Sequence, residues 1–361
     1  MGINLELEGL SFNGIRFDRP LIISGPCSAE SEEQVIETAR QLHKNGIKIF
    51  RAGIWKPRTR PNSFEGVGSR GLLWLKRVKE EFGMFTSIDV ANVKHVYEAL
   101  KAGIDILWIG ARTSVNPFSV QELADSLKGV DIPVMVKNPV NPDAELWIGA
   151  LERINNAGIK RIAAIHRGFS TYNKSQYRNN PHWEIPIELK RRIPELPIIT
   201  DPSHICGSKK LLFEVSQRSM DLNFDGLMIE THINPEKALS DAAQQITPEE
   251  LKNLLAKLVL RKSNIDDDLL LITLEELRQE IDEYDEKLMD ILDGRMAVSR
   301  KIGEYKKKNN ITILQASRWD EILKNMIKLA HKKGLSEEFI MQIFRAIHQE
   351  SINHQTRVMN K

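Results

Sequence analysis

The chain has 361 residues, 41% hydrophobic and 28% charged, and its 51 basic and 49 acidic residues leave a net charge of +2. Single cores stop growing at ~250–300 residues, so one large domain and a smaller one are expected, and the near-neutral balance excludes a general nucleic-acid binder, which would be strongly basic. Two cysteines, Cys27 and Cys206, make no disulfide scaffold and fit a reducing, cytoplasmic setting; the start lacks a signal-peptide pattern, Glu6 stands where myristoylation needs Ser or Thr, and no run of ~18 apolar residues is present to span a membrane.

Residues 3–17, with Asn13-Gly14 between apolar runs, predict a hairpin at the bottom of the domain that follows. Eight short, β-branched apolar runs then alternate with helical stretches, at 21–28, 48–54, 84–90, 106–111, 133–138, 162–168, 197–204 and 226–232. Such alternation reads as βαβ units and a parallel sheet. Eight units over about 240 residues have the size of a (β/α)8 TIM barrel, an α/β fold. A doubly wound open sheet would carry a Gly-rich phosphate loop after its first strand, and "GPCSAESEE" is not one. The last barrel helix, "TPEELKNLLAKLVLRK", ends near Lys262, so the barrel domain is placed at 1–262. Polar, acidic "SNIDDDLL" opens a linker, 263–272. Residues 273–361 offer no strand and predict an all-α, three-helix domain.

In a TIM barrel the C-terminal strand ends build the active site. Here they carry Cys27; Arg51, followed by Lys56, Arg58 and Thr59; Arg112; Lys137; Arg167; Asp201 and His204; and Glu230 and His232, with Asp241 in the loop beyond. Closure sets the last two strands beside the first, which gathers Cys27, His204, Glu230 and Asp241. Sulfur, nitrogen and oxygen donors together suit a borderline metal such as Mn, Fe, Co or Zn. The strand ends across the mouth offer only cations, which describes a site for a highly anionic substrate pair. Asp201 reads either as an orienter of the metal ligands or as a helix N-cap. His43, His95, His182, His331 and His348 lack such placement and are expected at the surface, while Cys206 packs.

The motifs "GPCS", "FRAGIWKPRTRP", "GARTSVNPF", "VMVKN", "HRGFSTY", "DPSH", "GLMIETH" and "SDAAQQ" resemble those of DAHP synthase (3-deoxy-D-arabino-heptulosonate 7-phosphate synthase), in the form without a large N-terminal regulatory extension. The resemblance covers residues 1–262. It implies condensation of phosphoenolpyruvate with erythrose 4-phosphate, the first step of the shikimate pathway. It also implies a divalent metal on Cys27, His204, Glu230 and Asp241, with Mn²⁺ first and Fe²⁺, Co²⁺ or Zn²⁺ as alternatives. Phosphoenolpyruvate contacts fall on Arg51, Lys56, Arg112, Lys137 and Arg167. The aldose phosphate falls on Lys56, Pro57, Arg58 and Thr59. After Lys137 the chain reads "NPVNP" where relatives often have a Gly-containing turn. The nearest rival family, KDO8P synthase, joins phosphoenolpyruvate to arabinose 5-phosphate and has an Asn-Arg-Ser type stretch in place of "KPRT", so the four-carbon aldose is favoured.

In the tail, Leu274, Leu277, Ile281, Tyr284, Leu288, Ile291, Val298, Ile302 and Tyr305 form a heptad seam. Arg295 interrupts it, and a charge in an apolar seam is costly unless something anionic meets it. Lys306 lies ~20° around the helix from Arg295, whereas Arg278 lies about 100° away. A helix over 273–308 would be ~54 Å long. The two shorter helices expected after it, with Ser317 and Ser336 as caps and Gly334 as a stop, cannot cover it, so an intertwined homodimer is expected. The stretch "LEELRQEIDEYDEKLMDILDGRMAVSRKIGEYK" resembles the all-helical chorismate mutases, over 273–357. That resemblance implies rearrangement of chorismate to prephenate, with binding residues at Arg278 (crossing to the other subunit), Arg295, Lys306, Gln315, Arg318, Ser351 and Gln355. It departs at Trp319, where relatives usually have a Glu that contacts the substrate hydroxyl. The expected molecule is a bifunctional enzyme whose tail feeds prephenate or chorismate binding back on the barrel. The alternative is a DAHP synthase with a non-catalytic dimerising and sensing tail.

Overall fold

The computed structural model describes residues 3, 5–9, 11–12, 15–16, 19–56, 63–172, 175–262 and 268–360. The chain divides into two compact units, Met1–Ser263 and Asn264–Lys361.

In the first unit a two-stranded antiparallel hairpin, β1 (Ser11–Phe12) and β2 (Ile15–Arg16), pairs Ser11 with Arg16. Eight parallel strands follow: β3 (Leu21–Gly25), β4 (Ile49–Arg51), β5 (Phe85–Val90), β6 (Ile106–Ile109), β7 (Val134–Lys137), β8 (Ile162–His166), β9 (Ile198–Thr200) and β10 (Gly226–Glu230). Consecutive strands pair, and β10 closes on β3 with Glu230 opposite Gly25. All eight predicted runs contain a strand, so the expected barrel is present. The run at 197–204 stops being a strand at Thr200. Asp201 then caps a short helix, α7 (Pro202–Cys206), which places His204 on a helical turn instead of a strand end.

Strand alternation makes two cores. Ile23, Ile49, Trp108, Ile165, Ile199 and Met228 fill the barrel interior. Residues of the other parity, such as Phe50, Leu107, Val136 and Ile229, pack outward against the helices. The helices between the strands are α1 (Glu32–Lys44), α2 (Arg70–Phe82), α3 (Val93–Lys101), α4 (Pro117–Ser126), α5 (Ala144–Asn156), α6 (Glu184–Arg192) and α8 (Leu212–Asp221). The closing helix α9 (Pro248–Lys257) carries a full capping box, Thr247 with Glu250. It ends before the expected Lys262 because Leu258 is already extended. At the bottom, Glu6 and Glu8 bond through their backbone to Asn155 and Lys160. Cys206 is buried in the outer core. Among the described residues no helix is long and apolar enough to cross a membrane.

Among the described residues the second unit is three helices: α10 (Asp268–Lys308), α11 (Ala316–Lys332) and α12 (Glu337–Met359). At 1.5 Å per residue α10 is about 61 Å long, and it begins inside the stretch expected to be linker. Gln315, not Ser317, stands at the N-cap of α11. Ser336 caps α12 by accepting from the Phe339 amide at 3.3 Å. Gly303 lets α10 and α12 approach, since a Cβ there would lie 3.1 Å from the Gln355 Cα.

Candidate active sites

At the C-terminal mouth of the barrel, Arg51, Lys56, Arg112, Lys137, Arg167, Arg178 and His204 line one cavity of about 210 Å³ together with Asp89, Trp108 and Asp241. Arg51, Lys137 and Glu230 are the last residues of β4, β7 and β10, so strand direction alone delivers them. Cys27 reaches the rim because β3 turns sharply at Gly25. A Cβ at Gly25 would sit 2.0 Å from the Arg51 carbonyl oxygen, and its φ is +150°, a conformation open to glycine. Asp241 also has a left-handed backbone, with φ +46°, which Asp tolerates better than most residues.

Trp108 forms an aromatic wall. The Arg51 guanidinium lies 5.0 Å from its ring centre and the Lys137 ammonium 5.9 Å, within cation–π range. Arg51 and Glu230 form an ion pair at 3.2 Å with 1% and 0% side-chain exposure. Arg51 Nε and Nη1 are buried and receive no acceptor among the described residues. Unspent, desolvated guanidinium donors of this kind are what a bidentate phosphate or carboxylate satisfies. Arg167 donates to Asn179 Oδ1 at 2.8 Å, and Asn138 Oδ1 accepts from its backbone amide at 2.7 Å. Burial pulls the Arg167 guanidinium down to about 10. Burial also lowers Lys137, against the pull of Asp201. For Lys56 burial is outweighed by the Cys27 sulfur and Asp89, and its pKa is raised.

The opposite side of the mouth is a donor cluster. Cys27 Sγ and one oxygen each of Glu230 and Asp241 all lie within 4.8 Å of one another. His204 stands outside that triangle, with Nε2 3.8 Å from Glu230 Oε1. Its Nδ1 faces Asp201 Oδ2 at 2.8 Å, and Lys137 Nζ donates to the same oxygen at 2.7 Å. Asp201 Oδ1 accepts from the His204 amide at 3.1 Å. Both readings of Asp201, helix cap and orienter of the imidazole, therefore describe real contacts. Burial, and then Glu230, push the Cys27 thiol up to about 12. Against burial, His204 and Arg51 hold Glu230 below its ordinary value, and Arg178 holds Asp241 at about 2. The donors fit a borderline divalent ion. A dication supplies the positive charge that would turn this buried thiol into a thiolate between two carboxylates.

Arg178 was not legible from strand ends, because it lies in the loop before α6. It donates to Gln244 Oε1 at 2.7 Å and lies 3.1 Å from Asp241 Oδ1. Gln244 in turn donates to Glu230 Oε2 at 2.7 Å, and Gln245 accepts from the Cys27 amide at 2.9 Å. Asp89 was missed as well, although inward parity marks it, since it is the register partner of Trp108. Pro57, Arg58 and Thr59 lie outside the described residues. His232 belongs elsewhere, with Nε2 3.4 Å from Glu30.

In the helical unit, Arg295, Lys306, Gln315, Arg318, Ser351 and Gln355 all line one cavity of about 380 Å³. Arg295 donates to the Ser351 hydroxyl, and Lys306 to the Ile313 carbonyl at 2.6 Å. Gln355 Nε2 donates to Ser299 at 3.3 Å, and its Oε1 is buried without a donor among the described residues. Burial lowers the pKa of both Arg295 and Lys306. Arg278 does not reach this cavity. It is 60% exposed and pairs with Glu275 at 3.3 Å. Besides apolar side chains, the lining includes Ser299 and His348, which were not expected as contacts, and Trp319, the position of the departure from relatives. His348 thus overturns its expected surface position. So do His95, stacked on Trp55 at 3.9 Å, and His182, whose Nε2 is buried.

Residues 13–266 match the DAHP synthetase I family and residues 277–356 match chorismate mutase type II. The phospho-2-dehydro-3-deoxyheptonate aldolase of Thermotoga maritima is 34% identical over 237 residues, 66% of this chain and 68% of its own. A 2-dehydro-3-deoxyphosphooctonate aldolase of Desulfotalea psychrophila is 29% identical over 273 residues, 68% of this chain and 91% of its own. The crystal structure of the Thermotoga maritima DAHP synthase superposes with a TM-score of 0.60 at 33% identity, covering 65% of this chain and 67% of that one. With a closed barrel, a cationic mouth and a separate three-helix unit, the chain belongs to the DAHP synthetase I family and joins to it a chorismate mutase type II domain, an enzyme of two shikimate-pathway activities.

Proposed function

We propose that the barrel condenses phosphoenolpyruvate with erythrose 4-phosphate, and that Cys27, His204, Glu230 and Asp241 hold the divalent ion it needs, Mn²⁺ before Fe²⁺, Co²⁺ or Zn²⁺. The observation carrying this reading is one cavity with six Arg and Lys side chains beside a thiol–carboxylate cluster. When bound, the ion supplies Lewis acidity to the aldehyde oxygen. Arg51, Lys56, Arg112, Lys137 and Arg167 neutralise the phosphate and carboxylate of phosphoenolpyruvate. Two unit charges ~4 Å apart at an effective dielectric of about 20 interact with ~4 kcal/mol, so the substrates need these cations to meet. Held in register, the enol carbon bonds to the aldehyde carbon, water adds to the resulting cation, and phosphate leaves. Lys56, with Pro57, Arg58 and Thr59, takes the aldose phosphate, and the "KPRT" sequence favours the four-carbon aldose over a five-carbon one.

The helical unit rearranges chorismate to prephenate. This reaction needs no nucleophile, only cations that hold a dicarboxylate compact and donors at the ether oxygen, here Lys306 and Gln355. Arg295 and Arg318 take carboxylates, Gln315 and Ser351 support them, and Arg278 serves the partner subunit of a dimer formed through this unit. The match of 277–356 to chorismate mutases supports this reading over a tail that only senses and dimerises. Prephenate or chorismate bound there regulates the barrel, in a cytoplasmic enzyme. The test assays the purified chain with both substrate sets before and after EDTA. Condensation should vanish and recover with Mn²⁺, while rearrangement persists. Condensation that survives complete chelation sinks the metal assignment.

A further inference from the structure

We infer that His348 is a proton-linked contact in the helical cavity: seating a dicarboxylate there draws a proton onto an imidazole that Trp319 holds against the wall. The inference rests on reading that cavity as a dicarboxylate site. His348 on α12 stacks on Trp319 of α11 with ring centres 4.1 Å apart and planes 16° from parallel. Stacking fixes the ring while leaving its nitrogens available for other contacts. Both rings line the same cavity as Arg295 and Lys306.

The surroundings are one-sided in charge. From α10, Arg295 and Lys306 face this space; from α11, Arg318, paired with Glu321 at 2.6 Å; from α12, the neutral Ser351 and Gln355. Among the described residues no carboxylate lines the cavity. Glu350, on α12, is turned to His354 at 3.2 Å. With the cavity empty, burial first and Arg295 second disfavour the imidazolium. A dianion bound to Arg295 and Lys306 cancels the second influence and adds an opposite charge beside the ring, which favours the protonated form.

The sign follows. Binding raises the His348 pKa, so affinity is greatest at low pH and falls as pH rises through the bound-state value. Ligand carboxylates ionise near pH ~4, arginine stays charged, and a lysine ordinarily titrates about four units above histidine. His348 is therefore the lining group that changes charge near neutrality.

The test is calorimetric titration of the full chain with prephenate at pH 6, 7 and 8, in two buffers of different ionisation heat. Native protein should take up protons on binding, and Kd should rise about threefold to thirtyfold from pH 6 to pH 8. His348→Gln and His348→Phe, the second keeping a ring against Trp319, should bind with no buffer-dependent heat and a nearly flat pH profile. Binding by native protein without proton uptake overturns the inference, as does undiminished uptake in either variant. Failure of native protein to bind prephenate at any of these pH values overturns the dicarboxylate reading itself.

Discussion

Asp201 is the residue on which both halves of the barrel site converge. It is fully buried, orients His204 and holds Lys137. Such outer partners commonly set metal affinity by 10–100-fold (about that range). Asp201→Asn should therefore weaken Mn²⁺ binding by roughly that factor, read by competition with a fluorescent chelator. Unchanged affinity would reduce Asp201 to a helix cap. His166, the last residue of β8, faces the other way, with its ring 5.1 Å from Trp183 and 5.9 Å from Phe169. Neither ring nitrogen has a hydrogen-bond partner among the described residues. Burial, then Arg167, lower its pKa to about 3. The unfolded chain takes up the proton near pH ~6.5. The neutral folded form is thus favoured above that pH and loses ground as pH falls toward 3. Roughly 2 kcal/mol of barrel stability should go between neutrality and pH 5, seen in chemical denaturation at the two pH values. His166→Phe should remove this part of the slope.

Helix α10 is the element that asks for a second chain. Ile281, Tyr284, Leu288 and Ile291 are 53–67% exposed along one seam. A contiguous apolar stripe of this size marks an interaction surface. Replacing Ile281 and Leu288 by Glu should give monomers in analytical ultracentrifugation. If the proposed dimer places Arg278 in the partner's cavity, mutase activity should fall by about 10²-fold or more in the same variant. Full activity in a monomer would remove Arg278 from the site. The heptad pattern revealed this helix in the sequence, but not its start. Asp268 already lies in it, although "SNIDDDLL" is polar and acidic, because acidic residues suit a helix N-terminus as well as a linker.

At the scale of the whole molecule, one chain carries an early pathway enzyme and a later one, and the proposed link between them is measurable. Removing residues 264–361 should leave condensation intact and abolish its inhibition by prephenate, since feedback needs a ligand that binds two states with different affinity. Equal sensitivity with and without the helical unit would separate the two activities. The intact barrel fold expected of the shortened chain follows from its own closed sheet and core.

The sequence by itself determined the barrel, its eight strands and the cations at its mouth, because period and strand direction are local properties that put every strand's last residues on one rim. Helical spacing also set Arg295 and Lys306 on one face of α10, whereas Gln355, on α12, joined them in the sequence only through the resemblance to chorismate mutases. Tertiary structure alone decided what loops and paired helices contribute. Arg178 meets Asp241 only because a loop of the described barrel folds back over the rim. Strand parity already turned Asp89 inward; only barrel closure showed that it shares the mouth cavity with Arg51 and Lys137. Trp319 and His348 become a pair only when α11 packs on α12. Contacts between segments distant in sequence have no period to betray them, and it is packing that brings them together.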